Sequence, residues 1–168
     1  MITAQKSLQR YRNVFLEKGI ELNLIGKDSE DIKRMASILI NINSEYIFPT
    51  DDEQKLYGYA KKMIDNGYNF VLADGKKDIG VLSIYANDFV TKTAFTSTIG
   101  IVPSSRGGRL IGNLVQFALD FAKEVGMEKY NAEIHKVNEK WLHFLLNKFG
   151  FQIESETENT TYIISKDL

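Results

Sequence analysis

The order in which two hydrophobic periods follow one another constrains this chain more than any other feature. Ala4 to Lys18 has helical spacing, with Leu8, Tyr11 and Phe15 on one side, and Ile20 to Ile25 alternates as a strand does. Asp28 or Ser29 can cap a helix carrying Ile32, Met35, Ala36, Leu39 and Ile42. Thr50, followed by Asp51, Asp52 and Glu53, opens another helix that stops at Asn66-Gly67. Three strand-like runs come next: Asn69 to Asp74, Ile79 to Ala86 and Thr93 to Ile101, the first two joined at the hairpin signal Asp74-Gly75. Beyond Pro103 the period returns to 3.6, with Ile111, Leu114, Val115, Ala118, Phe121 and Val125 in one stripe closed by Gly126. A strand (Lys129 to His135), a helix (Asn138 to Lys148) and an antiparallel pair (Phe151 to Glu154, Thr161 to Ser165) complete the series αβααβββαβαββ. Such an order specifies an α/β (α+β) fold, a mixed, mostly antiparallel central sheet flanked by helices. The whole chain, 1–168, reads as one domain, with residues 1–19 as an extra helix outside its core.

Composition narrows the partners. Hydrophobic residues make up 43% of the chain and charged residues 26%, the profile of a globular protein. Lys and Arg number 21 against 22 for Asp and Glu, so there is no basic excess of the kind nucleic-acid binding demands. The absence of cysteine removes disulfides, thiolate metal sites and a thiol nucleophile together, and no metal is expected. Met1 to Gly19 lacks the apolar core of a signal peptide and no stretch suits a membrane span, so the cytoplasm is the expected location.

The segment Ser104-Ser105-Arg106-Gly107-Gly108-Arg109-Leu110-Ile111-Gly112 lies between a strand and a helix. Its glycines permit a sharp turn and close backbone approach, and the helix that follows directs free N–H groups and the positive end of its dipole outward. With two arginines and two serines added, the loop suits a pyrophosphate. It has neither the Lys-Ser/Thr of a P-loop nor the glycine spacing of a dinucleotide fold.

Ile99-Gly100-Ile101-Val102-Pro103, this loop, the amphipathic helix, the next strand, Asn138 and Phe149-Gly150-Phe151 together resemble the GCN5-related N-acetyltransferase (GNAT) superfamily. In that family a strand ending in a V-x-P-like turn precedes an Arg/Gln-x-x-Gly-x-Gly/Ala loop that binds the pyrophosphate of acetyl-CoA. The resemblance implies acetyl-CoA as co-substrate. Ile99, Gly100 and Ile101 would offer backbone groups to the pantetheine arm. Arg106, Gly107, Gly108, Arg109, Leu110, Ile111 and Gly112 would hold the pyrophosphate, and Asn138 would help to place the cofactor. Aligned from Pro103, however, the two family glycines fall on Arg109 and Ile111.

Acetyl transfer to an amine requires a base, donors for the developing oxyanion and an acid for the departing thiolate. Glu133 stands where some family members place a catalytic glutamate, and His135 shares its strand face. The family tyrosine that would serve as acid aligns with Leu146 or Leu145, neither of which carries a proton to give. Tyr85 is the substitute considered first. Trp141, Phe144 and His143 read as packing or surface residues, and Tyr46, Phe48, Tyr57 and Tyr59 as candidate walls of an acceptor pocket. The expected activity is N-acetylation of a primary amine of a small molecule. Leu82 to Asp88 resembles members whose acceptors are thought to include amino sugars. Acetylation of a protein N-terminus or lysine stays open, as does a CoA-binding regulatory module without turnover. A homodimer is compatible with the sequence.

Overall fold

A computed structural model describes residues 4–42, 52–107, 109–158 and 160–168. The element order is α1 (Gln5–Leu16), β1 (Glu21–Leu24), α2 (Ser29–Asn41), α3 (Glu53–Asn66), β2 (Tyr68–Asp74), β3 (Lys77–Tyr85), β4 (Thr93–Ile101), α4 (Leu110–Glu124), β5 (Lys129–His135), α5 (Glu139–Phe149), β6 (Gln152–Thr157) and β7 (Thr161–Asp167), with one 3₁₀ turn at Pro103–Ser105. This is the series expected from the two periods. Asp28 caps α2, its side chain accepting from the Asp31 N–H, and Asp52 caps α3 through the N–H groups of Gln54 and Lys55. Of the acidic cluster expected to start α3, Asp52 is thus the residue that does so, while Thr50 and Asp51 lie outside the described residues, as do Tyr46, Phe48 and Gly108.

The strands form one seven-stranded sheet in the order β1-β2-β3-β4-β5-β7-β6. Every neighbouring pair is antiparallel except β4 with β5, which run parallel because α4 carries the chain back between them. Helices α2 and α3 cover one face. The other face is covered by α4, whose Phe117 and Phe121 meet Phe70 of β2 edge-on at 4.9 and 5.2 Å.

Helix α1 does not stand apart as the sequence suggested. Leu8, Tyr11 and Phe15 are buried in the common core, Tyr11 lies 5.3 Å from the Phe117 ring, and its hydroxyl donates to Asp120 of α4 at 2.6 Å. The Glu124 carboxylate accepts from the backbone N–H groups of Lys6 and Ser7, so the N-terminal end of α1 is held by the C-terminal end of α4. The apolar stripe of α1 is therefore spent inside the chain.

The β4–α4 connection resolves the offset glycines. Arg109 is the N-cap of α4 and adopts φ +66°, in the left-handed region. This is the residue on which the family pattern, counted from Pro103, places its first glycine. The left-handed conformation falls here on a residue that does not adopt it without strain.

Two substitutions test these backbone constraints. Replacing Arg109 by Gly removes a left-handed strain of roughly 1–2 kcal/mol and adds somewhat less unfolded-state entropy, so the melting temperature should rise by a few degrees. Gly67→Ala should lower it, because a Cβ there lies 2.6 Å from the Ile84 carbonyl oxygen and 2.7 Å from the Tyr85 ring. An overpacking cost of about 1–3 kcal/mol is expected, read by thermal or urea unfolding.

Candidate functional site

The ladder between β4 and β5 is short. It joins Thr93–Thr96 to Lys129–Ala132 and ends there. From that point β4 stays paired with β3 as far as Ile101, and β5 stays paired with β7 as far as His135. Each strand follows its own half of the sheet, and the halves part. The opening is a cleft of about 650 Å³ between β4 and β5, walled on one side by Ile111, Val115, Ala118 and Leu119 of α4 and by Trp141 and Leu145 of α5.

A second irregularity sits at the fork. Ser83 of β3 pairs with Thr98, but Ile84 pairs with Thr96, so Ser97 is an extra residue on β4. A bulge of this kind leaves a residue outside the ladder and re-aims the strand. Ser97 lines the cleft. The Thr98 hydroxyl beside it is buried, lines the cleft and has no hydrogen-bond partner among the described residues. A buried polar atom of that sort calls for a ligand or a water.

At the mouth, Arg106 and Gly107 border the cleft. Arg106 donates through Nε to the Ile101 carbonyl at 3.0 Å and through a terminal nitrogen to the Ile42 carbonyl at 3.5 Å, tying the end of β4 to the end of α2. Gly107 takes φ +103°, which no other residue type adopts at ease. No side chain caps α4, so its first-turn N–H groups stay available beside the cleft.

The sequence-derived set divides cleanly. Ile99, Gly100, Ile101, Arg106, Gly107, Ile111, Glu133, His135 and Asn138 all border the cleft. The Asn138 side chain makes no capping bond to α5, although the residue occupies the N-cap position. Arg109, Leu110 and Gly112 do not border it: Leu110 turns into the core, and a side chain at Gly112 would face Lys148 and Phe144. Tyr85 is outside it too, packed over Gly67 near Tyr59. Tyr59 of α3 is half-buried, and burial raises its phenol above the usual value, against the opposing effect of a hydrogen bond with Ser97.

On β5, Tyr130, Ala132 and Ile134 are buried toward α4, whereas Glu133 and His135 project from the opposite face. Glu133 accepts a hydrogen bond from the Thr161 hydroxyl at 2.7 Å. His135 Nδ1 accepts from the Val137 N–H at 3.3 Å, which places the proton of a neutral ring on Nε2. Trp141, expected only to pack, lines the cleft and stacks on Phe144 at 5.5 Å and 19°. Of the two leucines at the tyrosine position, Leu145 faces the cleft and Leu146 does not.

Among the polar cleft residues that the sequence did not single out are Thr96, Ser97, Thr98 and Tyr130. The Tyr130 hydroxyl lies 2.5 Å from Thr96 Oγ1 at the apex of the fork. Burial pushes its phenol well above the usual tyrosine range, and the Thr96 hydrogen bond only partly offsets this. Tyr130 is in phase with Ala132 and Ile134, so its pattern is that of a core residue. Only the point at which the two strands separate distinguishes it.

No curated protein sequence matches this chain significantly. Solved structures do resemble it. The IAA acetyltransferase of Bacillus cereus superposes over 89% of this chain and 99% of its own, with a TM-score of 0.66 and 18% identity. The spermidine N-acetyltransferase of Vibrio cholerae, solved with CoA and spermine, covers 87% of this chain and 95% of its own, at TM-score 0.68 and 19% identity. The GNAT domain of a Streptomyces lividans protein reaches TM-score 0.71 over 89% of this chain and 90% of its own, at 14% identity. At such identities the likeness is one of fold. The family model described as the acetyltransferase (GNAT) family matches residues 34–151, from α2 through the forked strands to Phe151. With residues 34–151 of its 168 matched by that model, the chain belongs to the GNAT family of acetyltransferases.

Proposed function

We propose that this enzyme transfers the acetyl group of acetyl-CoA to the primary amine of a small molecule by direct attack, with Glu133 as the base. The observation that carries the reading is the parting of β4 from β5. Past Thr96 the edge of β4 has no strand beside it, so its N–H and C=O groups require another partner. An extended arm bearing amide groups meets that need as an added strand would. The residues present fit such a ligand: the free strand edge and bulge for the arm, and the uncapped start of α4 beside Arg106 and Gly107 for a pyrophosphate. Bound acetyl-CoA supplies an acetyl thioester already activated toward nucleophiles.

Glu133 and His135 lie on the face of β5 away from α4, so the amine would approach from the side on which α2 and α3 pack. The Thr161 hydroxyl holds the Glu133 carboxylate in place and leaves its second oxygen to take a proton from the incoming ammonium. His135, with Nδ1 engaged, is the weaker candidate for that duty. Amino sugars and polyamines are both acceptors of suitable chemistry. The resemblance of Leu82 to Asp88 favours the former, and the spermidine acetyltransferase of similar fold favours testing the latter. A second reading, a CoA-binding module without turnover, is favoured by one observation: Leu145 faces the cleft and cannot protonate a thiolate.

Thiol release from acetyl-CoA with a panel of polyamines, amino sugars and peptides separates the two. Turnover with a small amine is expected, and tight CoA binding without turnover on any amine would favour the second reading. Glu133→Gln keeps an oxygen for Thr161 and loses basicity, so kcat should fall by about a hundredfold or more at neutral pH with little change in the KM for acetyl-CoA. An unchanged kcat would remove Glu133 from the mechanism. Arg106→Glu reverses the charge at the mouth and breaks the tie to Ile101 and Ile42, so calorimetry should show CoA affinity reduced several-fold or more. Undiminished affinity would place the pyrophosphate elsewhere.

A further inference from the structure

We infer that the Tyr130 phenol is the acid of this enzyme, donating its proton to the sulfur as CoA departs. The inference rests on the reading of the cleft as the acetyl-CoA site.

Position is the first argument. The cleft runs from Gly107 and Ile101 at the start of α4 to Thr96 and Tyr130 at the fork. From Ile101 to Thr96 is five strand steps, roughly 17 Å. An arm anchored by its phosphates at the helix end and laid along the edge of β4 brings its far end, the thioester, to the fork. There the hydroxyls of Thr96 and Tyr130 form the floor of the cleft.

Chemistry is the second. Among the described residues that line the cleft, Leu145 offers no proton, the hydroxyls of Thr96, Ser97 and Thr98 are weaker acids than a phenol, His135 lies on the opposite face of β5, and Lys140 is exposed in the first turn of α5. A phenol titrates ordinarily near 10 and a thiol about 8.5; burial widens this gap for Tyr130 and the Thr96 hydrogen bond narrows it again in part, and the phenol remains the most acidic hydroxyl in the cleft. Tyr130 is also sealed from solvent, lying edge-on to Phe151 at 6.3 Å, so water cannot readily take over its task. Burial keeps this phenol protonated at all ordinary pH, which is the form a donor needs. When Thr96 donates to the phenol oxygen, the phenolic hydrogen is free for sulfur and the charge left behind has a hydrogen bond to steady it.

The two faces of β5 then divide the work. Glu133 on one face takes the first proton of the ammonium, and the amine nitrogen attacks the acetyl carbonyl carbon. The C–S bond breaks, its electron pair goes to sulfur, and sulfur takes the proton of Tyr130 on the other face. The second proton shed by the nitrogen as the amide forms restores the phenol. The products are the amide, CoA as the thiol, and the proton held by Glu133, which passes to solvent.

Tyr130→Phe tests this, at a temperature below the melting point measured for the variant. The first readout needs no acceptor. Calorimetry at pH 8.5 should show the unaltered protein binding CoA several-fold more tightly than desulfo-CoA, and Tyr130→Phe binding both alike. The second readout is kinetic: kcat with acetyl-CoA should fall tenfold or more, and the loss should shrink with an acetyl thioester of a more acidic thiol, whose sulfur leaves without a proton. A preference for CoA retained in Tyr130→Phe, or an equal kinetic loss on both donors, would overturn the assignment of Tyr130 alone. Failure of the unaltered protein to bind either CoA or desulfo-CoA would instead overturn the cleft as a CoA site.

Discussion

The structure turns on the short junction between two adjacent strands. β4 pairs with β3 from Phe95 to Ile101, apart from the bulged Ser97, and β5 pairs with β7 along its whole length, while β4 and β5 pair with each other only over Thr93–Thr96 and Lys129–Ala132. The ladder gives way after Thr96 and Ala132. A parallel pair is the less stable kind, and its crossover through α4 leaves no hairpin to fix it, so the break falls at the weakest junction of the sheet. Backbone groups exposed by the break are costly in isolation and useful toward a ligand that supplies amides of its own. The site is thus the place at which the sheet fails to close.

Other elements serve to hold the break open. The bulge at Ser97 turns β4 away at the fork, and Arg106 ties the far end of β4 to the end of α2. On the opposite wall, Phe117 and Phe121 fix α4 to the β1–β4 half, while Trp141 and Leu145 bring α5 alongside the β5–β7 half. The two halves are each well packed and meet along only four residue pairs. Narrow junctions between rigid bodies are where a cleft can exist without an empty core.

The fold was legible because it rests on periodicity. The stripe Ile111 to Val125 and the alternations of β2 to β5 were read with boundaries that hold to within a residue or two. The lining of the cleft by Ile99 to Ile101, Arg106 and Asn138 was legible through motif order. What escaped depends on where strands separate, which no local pattern records. Tyr130 and Trp141 carry the spacing of core residues and face the cleft only because their neighbours have moved apart. The burial of α1 was missed for a related reason: its apolar stripe is visible in the sequence, but the surface that receives it, around Phe117 and Asp120, is assembled from residues more than a hundred positions away.

The loop before α4 carries the same lesson in the opposite direction. Arg109 and Ile111 stand where glycines would ease the turn, and a pattern that counts glycines sees a spoiled motif. Yet Arg109 takes the left-handed conformation, because the end of β4 and the start of α4 are both fixed by packing and the chain between them has few ways to connect. The turn is imposed by its surroundings, and the glycines lower its cost without creating it. Ile111 then places a branched side chain on the cleft wall where a glycine would leave room. Apolar bulk just inside the mouth lines the passage to the fork together with Trp141 and Leu145, and beyond it Tyr130 is buried and Thr96 half-buried. Under the role proposed for Tyr130, the departure from the family pattern at the entrance and the leucine at the usual tyrosine position are compatible with one another, because the proton for sulfur would come from a side chain already enclosed beside the cleft.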